Sequence, residues 1–494
     1  MITRRQFLKL TGVAALFPWG CSWSEPRPFG TTLNDVHSGL NPTSVYEVVP
    51  VKSVQDMQWL VERAKRAGRN ISVAGGRHAM GAQQFGTDTL HVDTRSFNRV
   101  LNFDSGSGLI EVEAGMQWPE LIQGTLAMQE GAARQWGIVQ KQTGADRLSI
   151  GGALSANIHG RGLRLKPFVG DIESFKLVTA EGQVVTCSRS QNAELFKLAV
   201  GGYGLFGVVS SATLRLMPRQ KLQRVVELVR IDDVMTRFEQ RIQDGFLFGD
   251  CQFAIDPASD DFLRRGIFSC YRPVDPGTPI PDSQREIAEE QWLRLLYLAH
   301  ADKTKAFDVY ANEYRATDGQ LYWSDTHQMS FYPDAYHKGL DRKLGATPGG
   351  SEMISELYVP RSELAAFFED MREDFRTHMV EVIYGTIRLI ERDDETFLAW
   401  AKQPWACTVL NLHVSHTPQG IQQAADAFRR LIDLARKRGG SYFLTYHKWA
   451  SREQVESCYP QLPEFLKLKR RFDPGERFQS DWYRHYRTMF EDTV

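Results

Sequence analysis

Val73-Ala74-Gly75-Gly76-Arg77-His78-Ala79-Met80-Gly81-Ala82-Gln83-Gln84 follows a helix-like run and a short apolar strand, and it sets two glycines directly before an Arg-His pair. Glycines at a strand end let backbone N–H groups approach an anionic group such as a pyrophosphate. A histidine beside such a loop is a candidate ligand, acid/base or covalent tether. Taken alone, a Gly-Gly turn after a strand is more often only a turn. The surrounding chain decides.

Upstream, Ser53 is placed to cap a helix whose Met57, Leu60, Val61 and Ala64 recur at helical spacing, with Gly68 ending it. Ile71 to Ala74 is predicted as a strand. Further strands are predicted at 90–93 and 109–114, with a helix near 118–128. This alternation is α/β or α+β in character.

A second stretch, from Gly144 through Ser149-Ile150-Gly151-Gly152-Ala153-Leu154-Ser155-Ala156-Asn157-Ile158-His159-Gly160, is dominated by small residues. Such a run lets backbone lie against an extended ligand; a Gly/Ala-rich helix packed closely on a sheet accounts for it equally well. A hairpin is predicted next, from Ile172 to Cys187 with its turn at Glu181-Gly182. In Gly201-Gly202-Tyr203-Gly204-Leu205-Phe206-Gly207, three glycines spell GxGxxG. A dinucleotide fingerprint must follow a strand and open a helix. Here a helical run precedes the glycines and a strand from Val208 follows. These glycines therefore read as a close approach of backbone to a ligand at a strand start.

Together, Gly-Gly-x-His, Ile-Gly-Gly-Ala…His-Gly, Asp-Ile-Glu-Ser…Glu-Gly and Gly-Gly-Tyr-Gly-Leu-Phe-Gly-Val-Val, in this order over about 140 residues, resemble the FAD-binding domain of the vanillyl-alcohol oxidase type, the PCMH fold. The resemblance implies an α+β protein: a two-lobed FAD domain plus a substrate (cap) domain with an antiparallel sheet and flanking helices. It implies boundaries at 40–217 for the FAD domain, 218–445 for the substrate domain, and 446–494 for a C-terminal segment returning to the FAD domain. The residues expected against FAD are Ala74, Gly75, Gly76, Arg77, His78 and Ala79 in the first loop. Gly144, Ser149, Ile150, Gly151, Gly152, Ala156 and His159 follow in the second, and Gly204, Gly207 and Val208 in the last. His78 matches the histidine that many members bond covalently to the flavin. Ala79 stands where a serine is usual.

In the C-terminal half, Ser355-Glu356-Leu357-Tyr358-Val359-Pro360, Thr386-Ile387-Arg388 and Tyr446-His447-Lys448-Trp449 resemble alditol and aldonolactone oxidases, and the tail is also similar to decaprenylphosphoryl ribose oxidase. By that resemblance the catalytic candidates are Lys448 as hydrogen-bond partner or proton acceptor, Arg388 as electrostatic stabiliser of a developing alkoxide, and His159 lining the flavin. Taken as isolated residues, Arg388 and Lys448 would read as surface ion-pair partners and His159 as a buried, hydrogen-bonded histidine. Thr386 stands where alditol oxidases carry an acidic residue, which argues against a simple sugar alcohol. The resemblance implies oxidation of a hydroxyl on a sugar, polyol, lactone or glycolipid-like substrate, with oxygen, a quinone or a cytochrome as acceptor. The competing reading is a flavin-bearing electron-transfer or binding protein without alcohol chemistry of its own.

The 494 residues carry a formal net charge of −1, so no bulk field attracts nucleic acid or an anionic membrane. None of the six cysteines forms a CxxC pair, which argues against zinc and thioredoxin-type chemistry, and no metal is expected. Residues 1–23, with Arg4-Arg5 before an apolar run too short to span a bilayer, match a twin-arginine export signal. That places the protein in the periplasm or otherwise outside the cytoplasm. Membrane attachment is expected only through lipidation at Cys21, in a poor lipobox.

Overall fold

A computed structural model of the protein describes residues 30–330 and 336–493. The expected twin-arginine segment and Cys21 lie outside these residues. The first lobe is a parallel three-stranded sheet of β1 (Glu47–Pro50), β2 (Ile71–Ala74) and β3 (Leu90–Asp93), ordered β1-β3-β2. The predicted helix α1 (Val54–Arg66) joins β1 to β2. Ser53 caps it by accepting from the Asp56 amide, and Met57, Leu60, Val61 and Ala64 form its buried stripe. The C-terminal segment reaches this sheet: the Ile71 amide donates to Arg477 O at 2.7 Å and the Gln479 amide to Ile71 O at 2.9 Å.

The second lobe is antiparallel. Its strands are β4 (Val100–Asp104), β5 (Leu109–Glu113), β6 (Ile172–Val178), β7 (Val184–Ser188) and β8 (Val208–Arg215), in the order β7-β6-β8-β5-β4. Helices α2 (Trp118–Met128) and α3 (Ile150–Ala156) sit between β5 and β6, and α4 (Ala193–Ala199) precedes β8. Asp171, just before β6, is buried, and burial pushes its carboxyl pKa up to about 8 against an opposing Gln140 hydrogen bond. The folded chain thus keeps a proton that the unfolded chain releases near pH 4. The stability this contributes is complete below pH 4 and is lost as pH rises through 8. Asp171→Asn removes that dependence. Its melting temperature is expected to gain on the parent's progressively from pH 5 to pH 8, and a pH-independent difference would contradict the assignment.

The third sheet has eight antiparallel strands: β9 (Lys221–Arg230), β10 (Phe248–Phe253), β11 (Arg265–Pro273), β12 (Leu321–Trp323), β13 (Gly350–Pro360), β14 (Val382–Ile390), β15 (Trp405–Ser415) and β16 (Ser441–Tyr442). Their order is β12-β9-β11-β10-β14-β15-β13-β16. One face is apolar and carries helices α5 (Leu364–Thr377) and α6 (Pro418–Lys437), which bury Phe367, Phe368, Met371 and Phe375, and Phe428, Leu431 and Ile432. Residues directly opposite on antiparallel strands share a face. The register pairs Asp250 with Ser269, Gln252 with Thr386, Arg388 with Cys407, Cys407 with Tyr358, and Val409 with Glu356. The other face is therefore polar, and it is buried. No helix among the described residues is long and apolar enough to cross a membrane. The five described cysteines are buried and unpaired.

Candidate active site

Strand β2 ends at Ala74, and the chain turns at Gly75-Gly76 against the second glycine stretch. A Cβ on Gly75 would land on Ser149 Oγ, and one on Gly76 would collide with the Arg147 carbonyl. Both positions must be glycine for the two loops to close on each other. Ser149 caps α3 by accepting from the Gly152 amide at 3.2 Å, and a Cβ on Gly151 would sit 2.9 Å from Ala114 Cβ. Ile150 is fully buried, whereas Ala156 is partly exposed. Arg77 is held at φ 62, which costs a non-glycine residue about 1–2 kcal/mol. Strain of this kind collects at ligand sites. Its guanidinium approaches Asp93 Oδ2 at 3.5 Å.

His78 projects from this turn between two partners, with Nε2 3.1 Å from Arg147 O and Nδ1 2.9 Å from His37 Nε2. A carbonyl only accepts, so these partners assign the proton to Nε2 and leave Nδ1 to accept from His37. Burial, with the neighbouring His78 and His337, keeps the His37 pKa well below the usual histidine value. Ala79 contributes its carbonyl to Gln84 at 2.6 Å. Gly144 has φ +96, and its amide donates to Ser330 Oγ at 2.9 Å. In the last motif Gly204 has φ +72 and Gly207 φ +148, and Val208 is buried in the first lobe's core. A helix precedes these glycines and a strand follows, as the sequence predicts.

These loops converge on the polar face of the large sheet. Gln83 Nε2 donates to Leu444 O and Thr445 O at 3.0 and 2.8 Å, and Thr445 Oγ1 lies 3.4 Å from Tyr203 OH. Asn157, in left-handed conformation at the end of α3, turns the chain so that His159 meets Glu356, with Nε2 2.6 Å from Oε1. Glu356 is the hub. Its Oε1 also accepts from Tyr358 OH at 2.6 Å, and its Oε2 accepts from Tyr446 OH at 3.2 Å. Burial alone would raise its carboxyl pKa, but His159, Tyr358 and the Arg388 charge prevail and hold it below the usual carboxylate range. Arg388 is 7% exposed, and its Nε has no hydrogen-bond partner. Burial and the carboxylate push the Tyr446 hydroxyl well above its ordinary pKa.

Buried polar groups normally find partners. On this face Asp250 Oδ1, Ser269 Oγ, Thr386 Oγ1 and Arg388 Nε have none. Arg161 closes one end, 3.7 Å from Asp250 and 2.6 Å from His327 O. Lys141, fully buried, is paired with Asp146 at 2.8 Å. A glycine-tight cradle beside a wall of unpartnered donors and acceptors fits a flat cofactor with a polar substrate against it.

The structure brings His159 and Arg388 together around Glu356, and it does not bring Lys448 to them. Lys448 lies in an adjoining cleft with Asn41, Thr43, Ala82, Trp449 and Asp481. Burial lowers its pKa against the pull of Asp481. Tyr446, two residues earlier, occupies the place beside Glu356. Sequence reasoning did not single out Glu356, Tyr446, Arg161 or Asp250. Glu356 lies inside a stretch quoted for its resemblance, and Arg161 directly follows His159-Gly160. Asp250 has no local signal.

Residues 47–188 match the family described as FAD binding domain. The protein carries an FAD-binding domain of the PCMH type and is an FAD-dependent oxidoreductase. Over 441 residues it is 23% identical to L-gulono-1,4-lactone dehydrogenase of Mycobacterium tuberculosis (strain ATCC 25618 / H37Rv), covering 88% of this chain and 95% of that protein. It is 22% identical to the mitochondrial L-galactono-1,4-lactone dehydrogenase of Arabidopsis thaliana, covering 95% and 87% of the two chains. It is 27% identical to cytokinin dehydrogenase 9 of Oryza sativa subsp. japonica, covering 82% and 78%.

Proposed function

We propose that the protein oxidises a hydroxyl-bearing carbon of a small polyhydroxylated substrate of the sugar, aldonolactone or polyol kind. The observation that carries this reading is the row of unpartnered buried atoms at Asp250, Ser269, Thr386 and Arg388, which a molecule with several hydroxyls satisfies. The lactone dehydrogenases among the relatives point the same way. Bound FAD supplies the hydride acceptor. The protein's own groups do the rest: Arg388 stabilises negative charge developing on the substrate oxygen, and the Glu356 carboxylate, oriented by His159, is the proposed acceptor of the hydroxyl proton by way of Tyr446 OH. Incubating the purified flavoprotein anaerobically with aldonolactones, alditols and aldoses tests this. At least one should bleach the flavin, and failure of the whole panel would favour an electron-transfer protein. Peroxide release in air then separates oxygen from a quinone or cytochrome as acceptor.

A second assignment of the proton acceptor is favoured by Lys448, whose half-buried ammonium is easier to deprotonate than an exposed lysine. Comparing Lys448→Met with a Glu356 variant decides between them: flavin reduction should survive in the lysine variant if Glu356 is the acceptor, and collapse if Lys448 is. His78 is proposed as the covalent anchor: a bond from one ring nitrogen to the flavin methyl carbon would replace a methyl C–H and the ring N–H, with the two electrons passing to the flavin and on to the acceptor that reoxidises it in turnover. Acid-precipitated protein is expected to stay yellow, and His78→Ala to release all its flavin on precipitation. Loss of flavin from the parent would leave His78 a non-covalent neighbour. Twin-arginine export and action on a glycolipid-like substrate extend this reading, and a cytoplasmic reporter fusion would count against the first.

A further inference from the structure

A second polar cluster on the large sheet lies outside the groups assigned above. Glu352 sits four residues before Glu356 on β13, on the same face and roughly 13 Å away at 3.3 Å per residue. His413 of β15 stands directly opposite it in the register. His300 reaches in from the last turn of the helix Glu289–Ala301, and His337 from the start of the helix His337–Leu344. Glu352 is 2% exposed, and three imidazoles surround it. His300 Nε2 is 3.0 Å and His413 Nδ1 3.6 Å from Oε1, and His337 Nδ1 is 2.8 Å from Oε2. Tyr336 OH also donates to Oε2.

We propose that His300, His413 and Glu352 form a binding site for a divalent transition metal of the zinc class. Their ligand atoms all lie within 4.8 Å of one another. Metal–nitrogen bonds of 2.0–2.1 Å in a tetrahedron put neighbouring ligand atoms roughly 3.3 Å apart, so small side-chain rotations close the set. An independent observation points to a ligand. His413 Nδ1 is buried without a hydrogen-bond partner although it is aimed at the carboxylate. The His300 and His413 rings pack edge to face, with centroids 5.0 Å apart, and His300 Nε2 and His413 Nδ1 both face Glu352 Oε1. A Cβ on Gly350 would strike the His413 ring, so glycine there keeps the imidazole in place. Two imidazoles and a carboxylate plus water are a set that zinc takes, and ferrous iron shares it. His337 and Tyr336 hold the other carboxylate oxygen, the outer support such ligands need. The fourth position goes to water. The metal would tie the helix Glu289–Ala301 to the polar sheet face beside the proposed substrate site, with no part in the redox step.

The test uses the purified flavoprotein, stripped with a chelator and titrated with zinc. The site predicts about one equivalent bound, with a rise in melting temperature. His300→Ala and His413→Ala should each weaken binding by about 100-fold or more. Cobalt in place of zinc should give visible ligand-field absorption that both variants lose. Cys407→Ser, which alters the cysteine near Glu356, should leave zinc binding unchanged. No binding and no thermal shift would overturn the proposal. So would zinc that persists in both histidine variants and disappears in Cys407→Ser, because the metal would then sit beside Glu356.

Discussion

Glu356→Gln is expected to lower the rate of flavin reduction by substrate about 10²–10⁴-fold while the protein keeps its flavin. The carboxylate is the shared acceptor of His159, Tyr358 and Tyr446, and it offsets the Arg388 charge in a buried setting. An amide of the same shape preserves most contacts and removes that charge. Breaking one member of a buried charged set also costs about 3–5 kcal/mol of stability. Melting temperature and flavin content must therefore be read beside the rate. A variant that folds, holds flavin and is reduced at the parent's rate would remove Glu356 from the chemistry.

Gly76→Ala is expected to reduce bound FAD to roughly a tenth of the parent's content or less, because its Cβ would meet the Arg147 backbone carbonyl and part the two loops of the cradle. That carbonyl also holds His78 Nε2, so the same displacement misplaces the proposed anchor. Gly204, with φ +72 and open space around its would-be Cβ, differs in kind: Ala there meets conformational strain without a collision. Its flavin content should fall far less. Equal flavin loss in both variants would show that backbone conformation, rather than loop contact, forms the cradle.

The FAD-binding half was legible because its constraints are local. Glycines at 75, 76, 144, 204 and 207 mark close approach or left-handed backbone, and the α1 stripe is written at helical spacing. The order of those signals sufficed to reject the dinucleotide fingerprint at Gly202. The substrate half was only partly legible. Its site is assembled by register across β10, β11, β14, β15 and β13, so Asp250, Thr386, Arg388 and Glu356 become neighbours through pairing that no local pattern encodes. Arg388 is visible through resemblance, whereas Glu356, its neighbour in the site, carries no signal of its own. Lys448 shows the converse limit: its neighbourhood in sequence resembles a catalytic segment, while the backbone turn after Leu444 puts Tyr446 against Glu356 and Lys448 beside Asp481. The histidines around Glu352 come from two helices and one strand, and cysteine spacing gives no indication of them.

The proposed role of Arg388, at the polar sheet face, is to meet the substrate oxygen with positive charge. It is tested most directly by anaerobic stopped-flow bleaching of Arg388→Met against the parent, at matched flavin content, with a substrate found in the panel. A loss of at least about 100-fold in the reduction rate, with flavin retained, is expected. Reduction at the parent's rate in the variant would contradict it.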